Sequence, residues 1–474
     1  MDRKPKYGWL VTLLVFMFIA ALRIPYITNS PYEYDSWRQS DTESIALNFI
    51  GHRFHILYPQ LNYDGPLPNY VQLEFQITTW IIAILYQLFG QHYALARAVP
   101  ILFFIGSAYF LYRIAKSYFS PSIGWLAVLI YGMLPVSILY SRAIMPESAA
   151  LFFMLGAFYW FSEWRDSRKR WLLIMAGLFT ALAISQKIPT IFVGIPMLWM
   201  AAAAYRWRMF AKWELWLFAV IALLPPFLYF GWLSTIAEFP FVSGIASKHI
   251  LPNLLTSITT DAAQRFFVEQ LPETFTWYGV AMFVGGLLML HWKRQYPIGI
   301  WAIAMIIELV TIVATIRFNY YLIFTGPLVA LLGAKLLHTL DQWIFGRLVS
   351  VAWFLLLAYH SSMIVAPILD NQLNLVLQQA EVVQKLTKPD DLIVVGTDDP
   401  SLLNASHRRG WRVGNTMPGD PVAELQYFVN HGAAYFVPLQ GTIYGDDGTL
   451  HQYLLANYPL LEAKNGLSIY KLSK

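Results

Sequence analysis

Four carboxylates, a guanidinium and an indole fall close together near the start of the chain. The stretch Tyr32–Phe49, YEYDSWRQSDTESIALNF, holds Glu33, Asp35, Asp41 and Glu43 together with Trp37, Arg38 and Gln39. Clustered carboxylates suit two kinds of chemistry. One is general-base removal of a proton from an attacking group. The other is oxygen ligation of a hard divalent cation. An apolar chain has little reason to place such a cluster beside a hydrophobic run unless the cluster does chemistry or binds a charged group there. Simpler roles exist too: Asp41-Thr42 suits a helix N-cap ahead of ESIALNFI, which then reads as an amphipathic helix lying in a membrane interface. Arg38 could simply neutralise the acids.

Other polar groups recur at the ends of apolar runs. In SRAIMPES (141–148), Arg142 and Glu147 flank a turn, with Pro146 opening the next helix; Glu147 is either a favourable first-turn acid or a second functional carboxylate. Lys187, in SQKIPT, either snorkels to the interface or supplies a cation for a lipid phosphate. RFNYY (317–321) combines Arg317, suited to gripping a phosphate, with Tyr320 and Tyr321, which also suit an aromatic belt. The loop 233–275 carries Lys248, His249 and Arg265, which either contact a phosphate or sugar or are the residues that any solvated loop holds.

These residues need a membrane scaffold to bring them together. The chain has 474 residues, of which 57% are hydrophobic and 13% charged, with a mean hydropathy of +0.48. Soluble proteins carry about 25% charged residues, so this is a polytopic helical membrane protein. Cysteine is absent, which excludes disulfides, thiolate metal sites and a cysteine nucleophile. The net charge of +5 is small and its basic residues sit in short loops, a distribution that fits membrane orientation and not nucleic-acid binding.

The first apolar run, Trp9–Ile24, follows Arg3, Lys4 and Lys6, which places the N-terminus in the cytoplasm as a retained signal anchor. The run 71–89 contains Gln72, Glu74, Gln76 and Gln87. Read as in-plane or re-entrant, it leaves later spans at about 96–112, 123–140, 148–162, 171–186, 188–204, 214–232, 276–290, 297–316, 320–337 and 348–366, eleven in all. Nearly every basic cluster then falls on the cytoplasmic side, among them Arg165 to Arg170, Arg206 to Lys212, Lys293-Arg294 and Arg347. The polar stretches 32–49, 141–148, 186–187, 233–275 and 317–321 all fall outside. That convergence is what a site at the outer membrane surface needs.

Residues 370–474 hold no further span. LIVVG, AAYFVP and LSIYKL read as strands with helical stretches between, giving a small external α/β domain. The expected division is a membrane domain, 1–369, with an external catalytic loop at 26–95, and an external domain, 370–474.

WRQSDTESIALNF resembles the WRQ-x-DT-x-x-IA-x-NF signature in the first loop of bacterial membrane glycosyltransferases of the protein O-mannosyltransferase-like group. Their GT-C fold is shared with the lipid A aminoarabinose transferases. The resemblance extends to Ser141–Glu147, to the lysine of SQKIPT, to Arg317–Tyr321 and to the C-terminal α/β region. It implies a sugar donor linked to polyprenyl phosphate and a lipid, glycan or protein acceptor, at the outer face of a bacterial inner membrane. It also implies a first-loop acidic base assisted by a second-loop acid. Asp41 matches the motif aspartate and Glu147 the second acid. The best-studied relatives place an Asp-Glu pair in this loop, a departure that makes Asp35 a rival to Asp41. Phosphate is already a competent leaving group, so cations must stabilise it; the candidates are Arg38, Arg142, Lys187 and Arg317. Glu33, Trp37, Gln39, Tyr320 and Tyr321 complete the candidate binding set. Asp35, Asp41 and Glu147 are the candidate ligands should a divalent cation be used. The segments 42–50 and 71–89 would frame a polyprenyl groove, and Arg408, Arg409 and Trp411 could meet the acceptor.

Three other readings compete. A polysaccharide ligase or polymerase shares the donor chemistry. A transporter should place ionisable residues near mid-span, whereas here they collect at the outer ends. A non-catalytic envelope-assembly protein would tolerate the loss of Asp35 and Asp41 together.

Overall fold

The computed structural model describes residues 8–238, 241–417, 419–439, 442–462 and 467–472. Helices dominate the first 386 residues. In order they are α1 (Gly8–Ala21), α2 (Ser36–Gly51), α3 (Ile77–Phe89), α4 (Tyr93–Tyr118), α5 (Pro121–Met133), α6 (Pro135–Tyr140), α7 (Glu147–Ser167), α8 (Arg170–Gln186), α9 (Gly194–Tyr205) and α10 (Trp213–Ile236). Long helices at Asp261–Leu288, Trp292–Glu308, Gly326–Leu340 and Gly346–Asp370 follow.

Local chemistry sets several of these boundaries. Ser120 caps α5 by accepting from the Ile123 amide at 3.3 Å, and Pro121 occupies the first helical turn, where a missing N–H costs nothing. Pro135 ends α5 and opens α6. Glycine allows close packing: a Cβ on Gly286 would overlap the Leu332 carbonyl, so the helices Asp261–Leu288 and Gly326–Leu340 meet backbone to backbone. Helices α10 and Gly346–Asp370 leave Phe227, Leu228, Leu348 and Leu355 exposed, an outer surface fit for lipid.

The expectation of eleven spans is not met in full. Six segments are both long and apolar enough to cross: Tyr93–Tyr118, Ile188–Ala211, Trp213–Ile236, Trp292–Ile316, Asn319–Leu340 and the segment beginning at Gly346. Helices α1, α3, α5 and α8 are apolar but shorter. Helix α7 is long enough but starts on Glu147 and ends in charged residues. Within 71–89 only Ile77–Phe89 is helical. At about 1.5 Å per residue it covers about 20 Å, short of a hydrocarbon core of about 30 Å. The residues before it are held by the end of α8, with the Phe75 amide donating to the Ser185 carbonyl at 2.8 Å.

Another expectation is corrected. The segment 42–50 is not a surface helix. It belongs to α2, which starts at Ser36 and buries Gln39 to Ala46 without a break. Asp41 therefore lies inside the helix and is not its N-cap.

After residue 386 the chain builds a five-stranded sheet. Its strands are β1 (Leu392–Val395), β2 (Arg409–Arg412), β3 (Ala433–Val437), β4 (Leu460–Glu462) and β5 (Ser468–Lys471), in the order β2-β1-β3-β5-β4. β1 runs parallel to β2 and β3, and β5 runs antiparallel to β3 and β4. β1, β3 and β5 match the three strands expected from sequence. The edge strand β2 packs back on the first loop: Gly410 and Gly65 form an isolated bridge, and the Gly410 amide donates to the Asn62 carbonyl at 3.0 Å.

Candidate active site

The first loop enters α2 through Asp35, which adopts a left-handed conformation (φ 47°) and makes no side-chain capping bond. Aspartate tolerates this region better than most residues. Its carboxylate is thereby left free of the helix and partly open. Asp35 Oδ2 accepts from the Tyr140 hydroxyl at 2.6 Å. That hydroxyl also lies 2.9 Å from Asn319 Oδ1, a second acceptor for its single hydrogen. Burial lifts the Asp35 carboxyl above its usual range, the Tyr140 bond opposes this, and the negative field of Glu147 adds to it.

Glu147 opens α7 from a fully buried position. Its partner is Lys187, at the junction of α8 and the next helical turn, with Nζ 2.7 Å from Oε1. The ammonium also sits 5.3 Å and 5.2 Å from the ring centres of Tyr320 and Tyr321. Tyr320 meets Tyr140 edge to face at 6.2 Å, which closes the circuit back to Asp35. Arg38, one turn into α2, pairs with Glu74. The structure thus gathers Asp35, Arg38, Glu74, Tyr140, Glu147, Lys187, Asn319, Tyr320 and Tyr321. It presents one partly exposed carboxylate beside two cations, each already held by an acid. Arg317 is exposed at the edge of this group and, among the described residues, forms no ion pair.

Other candidates from the sequence lie elsewhere. Asp41 is 3% exposed and its two oxygens are taken: Oδ2 by the Tyr63 hydroxyl at 2.9 Å, Oδ1 by Asn404 Nδ2 at 3.0 Å. Burial lifts its carboxyl to about 7, against the opposing pull of Arg38, those two bonds and Arg412. Glu33 and Arg142 are completely buried. Glu33 Oε1 lies 2.7 Å from Arg97 and 3.8 Å from Arg142. Gln39 belongs to the same internal knot, its Oε1 accepting from Arg97 at 3.3 Å and from the Ile144 amide at 3.1 Å. These three fasten the first loop to 141–146 and face no opening. Trp37 is half-buried beneath the Arg412 guanidinium. Arg408 is buried on Thr387 and Ser406, and Trp411 is stacked on Phe428, so neither faces outward to an acceptor; Arg409 meets His52. Lys248, His249 and Arg265 are exposed and stand apart from these ion pairs.

No group of three or more metal-ligating side chains assembles among the described residues. Asp41, tied to Tyr63 and Asn404, does not join Asp35 and Glu147 as a third ligand. A cavity of about 300 Å³ opens at the Thr276 kink, between Trp277, Tyr278 and His360, and contains none of the site residues above. Tyr140, Asn319, Glu74 and Arg97 were not singled out from sequence. An arginine in the apolar run of α4 and a glutamate at the head of 71–89 were the available signals.

Likeness to known proteins follows the same framework. Across 99% of both chains, the structure superimposes on ArnT from Cupriavidus metallidurans bound to undecaprenyl phosphate, with a TM-score of 0.72 and 12% identity. The fold is the GT-C fold. The archaeal oligosaccharyltransferase AglB from Archaeoglobus fulgidus, in complex with an inhibitory peptide and a dolichol-phosphate, matches with a TM-score of 0.61 at 12% identity, over 99% of this chain and 74% of that one. Residues 77–232 match the family model for dolichyl-phosphate-mannose-protein mannosyltransferase. No curated protein matches the chain in sequence. On this GT-C chain the family match covers α3 to α10, and so includes Tyr140, Glu147 and Lys187.

Proposed function

We propose that this protein transfers a sugar from a polyprenyl-phosphate donor to an acceptor hydroxyl or amine at the outer face of the cytoplasmic membrane, with Asp35 as general base. The observation that carries this reading is the partly open Asp35 carboxylate, oriented by Tyr140 and lying in the field of Glu147, which is itself paired with Lys187 at 2.7 Å. The GT-C fold and the match of 77–232 support the class of donor. Asp35 takes the proton from the acceptor as the acceptor atom bonds to the anomeric carbon. The carbon–oxygen bond to phosphate breaks, and the lipid phosphate leaves with the electron pair. One displacement of this kind inverts the anomeric centre. Arg38 and Lys187, with Arg317 two residues before Asn319, are the cations assigned to meet the leaving phosphate. Glu147 holds Lys187 in place and keeps the Asp35 carboxyl from ionising too easily. Asp41 keeps a structural role in this reading, because it is buried and each of its oxygens already ties it to Tyr63 or Asn404.

The test is donor turnover in lipid. Purified protein is given polyprenyl-phosphate hexoses and pentoses with a crude envelope extract as acceptor source. Transfer by wild type, lost in Asp35→Asn with the fold intact, is the expected result. Transfer lost in Asp41→Asn alone would move the base to Asp41. A wild type that never transfers sugar, while Asp35→Asn still complements a deletion strain, would end the catalytic reading.

A further inference from the structure

The C-terminal sheet is tied to α2 by a buried polar strap that the proposed chemistry leaves unused. On the sheet side stand Ser401 and Asn404, in the short helix Ser401–Ser406, and Arg412 at the end of β2. Ser401 Oγ lies 3.1 Å from Ser36 Oγ. Asn404 Nδ2 donates to Ser40 Oγ and Asp41 Oδ1, each at 3.0 Å, while its Oδ1 accepts from Asn62 at 3.2 Å. Arg412 grips both oxygens of Asp64, at 3.1 Å and 2.6 Å, and covers the Tyr63 and Trp37 rings at 4.2 Å and 5.0 Å.

The strap's contacts on α2 are Ser36, Trp37, Ser40 and Asp41. This i, i+1, i+4, i+5 spacing forms one stripe down the helix. Asp35 immediately precedes that stripe. Apart from Asp35 and Trp37, the polar side chains named are at least nine-tenths buried. A buried network with its partners in place fixes one arrangement, and losing a partner is costly.

We infer that Asn404, Ser401 and Arg412 are positioning residues. They lock the first turns of α2 onto the C-terminal sheet, so that Asp35 points at Tyr140 and the Glu147–Lys187 pair. This assignment rests on the sugar-transfer reading, since Asp35 is the base only there. It gives the motif aspartate, Asp41, its task as the anchor of the strap on α2. A misplacement of about 1 Å at a reacting group costs on the order of 100-fold in rate.

The absence of cysteine makes a direct test possible. The pair Ser36→Cys with Ser401→Cys is oxidised directly, or bridged by a one-carbon bis-thiosulfonate, in full-length protein in lipid. Ready closure is expected, and failure to close in folded protein would overturn the docked strap. Asn404→Ala is expected to lower kcat about tenfold or more while leaving KM for the polyprenyl-phosphate sugar within about twofold. Closing the engineered link between positions 36 and 401 by oxidation in the Asn404→Ala background should restore most of that kcat, and reductant should remove it again. An active wild type indifferent to Asn404→Ala, or an Asn404→Ala variant that the closed link does not rescue, overturns positioning. An inactive wild type whose introduced thiol pair closes overturns the sugar-transfer reading instead.

Discussion

Asp35 and Asp41 lie six residues apart at the start of one helix, yet the protein treats them oppositely. Asp35 sits before the helix with a free face, one hydrogen bond and an acidic neighbour whose field raises its proton affinity. Asp41 sits inside the helix with each oxygen bonded and the C-terminal sheet packed over it. A carboxylate that must accept a proton from substrate needs room beside an oxygen and a path to solvent. A carboxylate that must hold two elements together needs neither. The difference lies in partners and exposure and not in residue type.

The largest expected effect sharpens that contrast. Asp35→Asn should lower kcat by about 10²–10⁴-fold, the usual worth of a general base, with little change in thermal midpoint. Asp41→Asn should cost less than about tenfold, since an amide keeps one acceptor for the strap. Steady-state transfer kinetics on both variants decide it, and the reverse order would break the comparison. Next in size is the buried knot. Arg97→Ala leaves buried Glu33 with only the more distant Arg142 guanidinium, at 3.8 Å, as its charge partner and should destabilise the protein by up to about 3–5 kcal/mol in a detergent unfolding assay. Adding Glu33→Gln should recover part of that loss.

The pH profile gives a smaller, more diagnostic effect. Asp35 must be ionised to act, so activity is lost as pH falls through its raised pKa. The rising limb of kcat/KM should therefore lie above the ordinary aspartate range. Glu147→Gln removes a negative field and should move the limb to lower pH, by up to about one unit. A limb that stays put would mean that Glu147 does not act on the base.

The apolar runs made the helical membrane scaffold legible, and the distribution of Lys and Arg put the first loop, Glu147, Lys187 and Arg317–Tyr321 on one side. The structure brings most of those residues together. Partners distant in sequence were not legible. Asn404 is 363 residues from the Asp41 it binds. Tyr140 looked like the last residue of an apolar run, and Asn319 was hidden within the aromatic RFNYY. Strand β2, Arg-Gly-Trp-Arg, has neither the β-branched residues nor the alternation of a strand. Span lengths were less legible for a related reason: buried helices are apolar whether or not they cross a membrane, so α5 and α8 resemble spans in composition while being short for a crossing helix.

The last prediction concerns stability and uses the closed side of the comparison. Burial lifts both Asp41 and Glu43 to about 7, against the bonds from Tyr63 and Asn404 to the first and from Gln91 to the second. In the unfolded chain they return to the usual carboxylate range, about 3.9 and 4.3. Between those values the folded state binds more protons than the unfolded state, so stability falls as pH rises. Each group's contribution is complete below about pH 4 and is lost as pH climbs through about 7. Each can tilt the curve by at most about 1.4 kcal/mol per pH unit. The thermal midpoint should therefore decline between about pH 5 and 7, and Glu43→Gln should flatten the decline without touching the strap. Asp41→Asn should flatten it by a similar amount while lowering the whole curve slightly, because one strap acceptor is lost. A midpoint that instead rises with pH over this range would mean that Asp41 is ionised in the folded protein. Its environment would then be much closer to that of Asp35 than the buried strap allows.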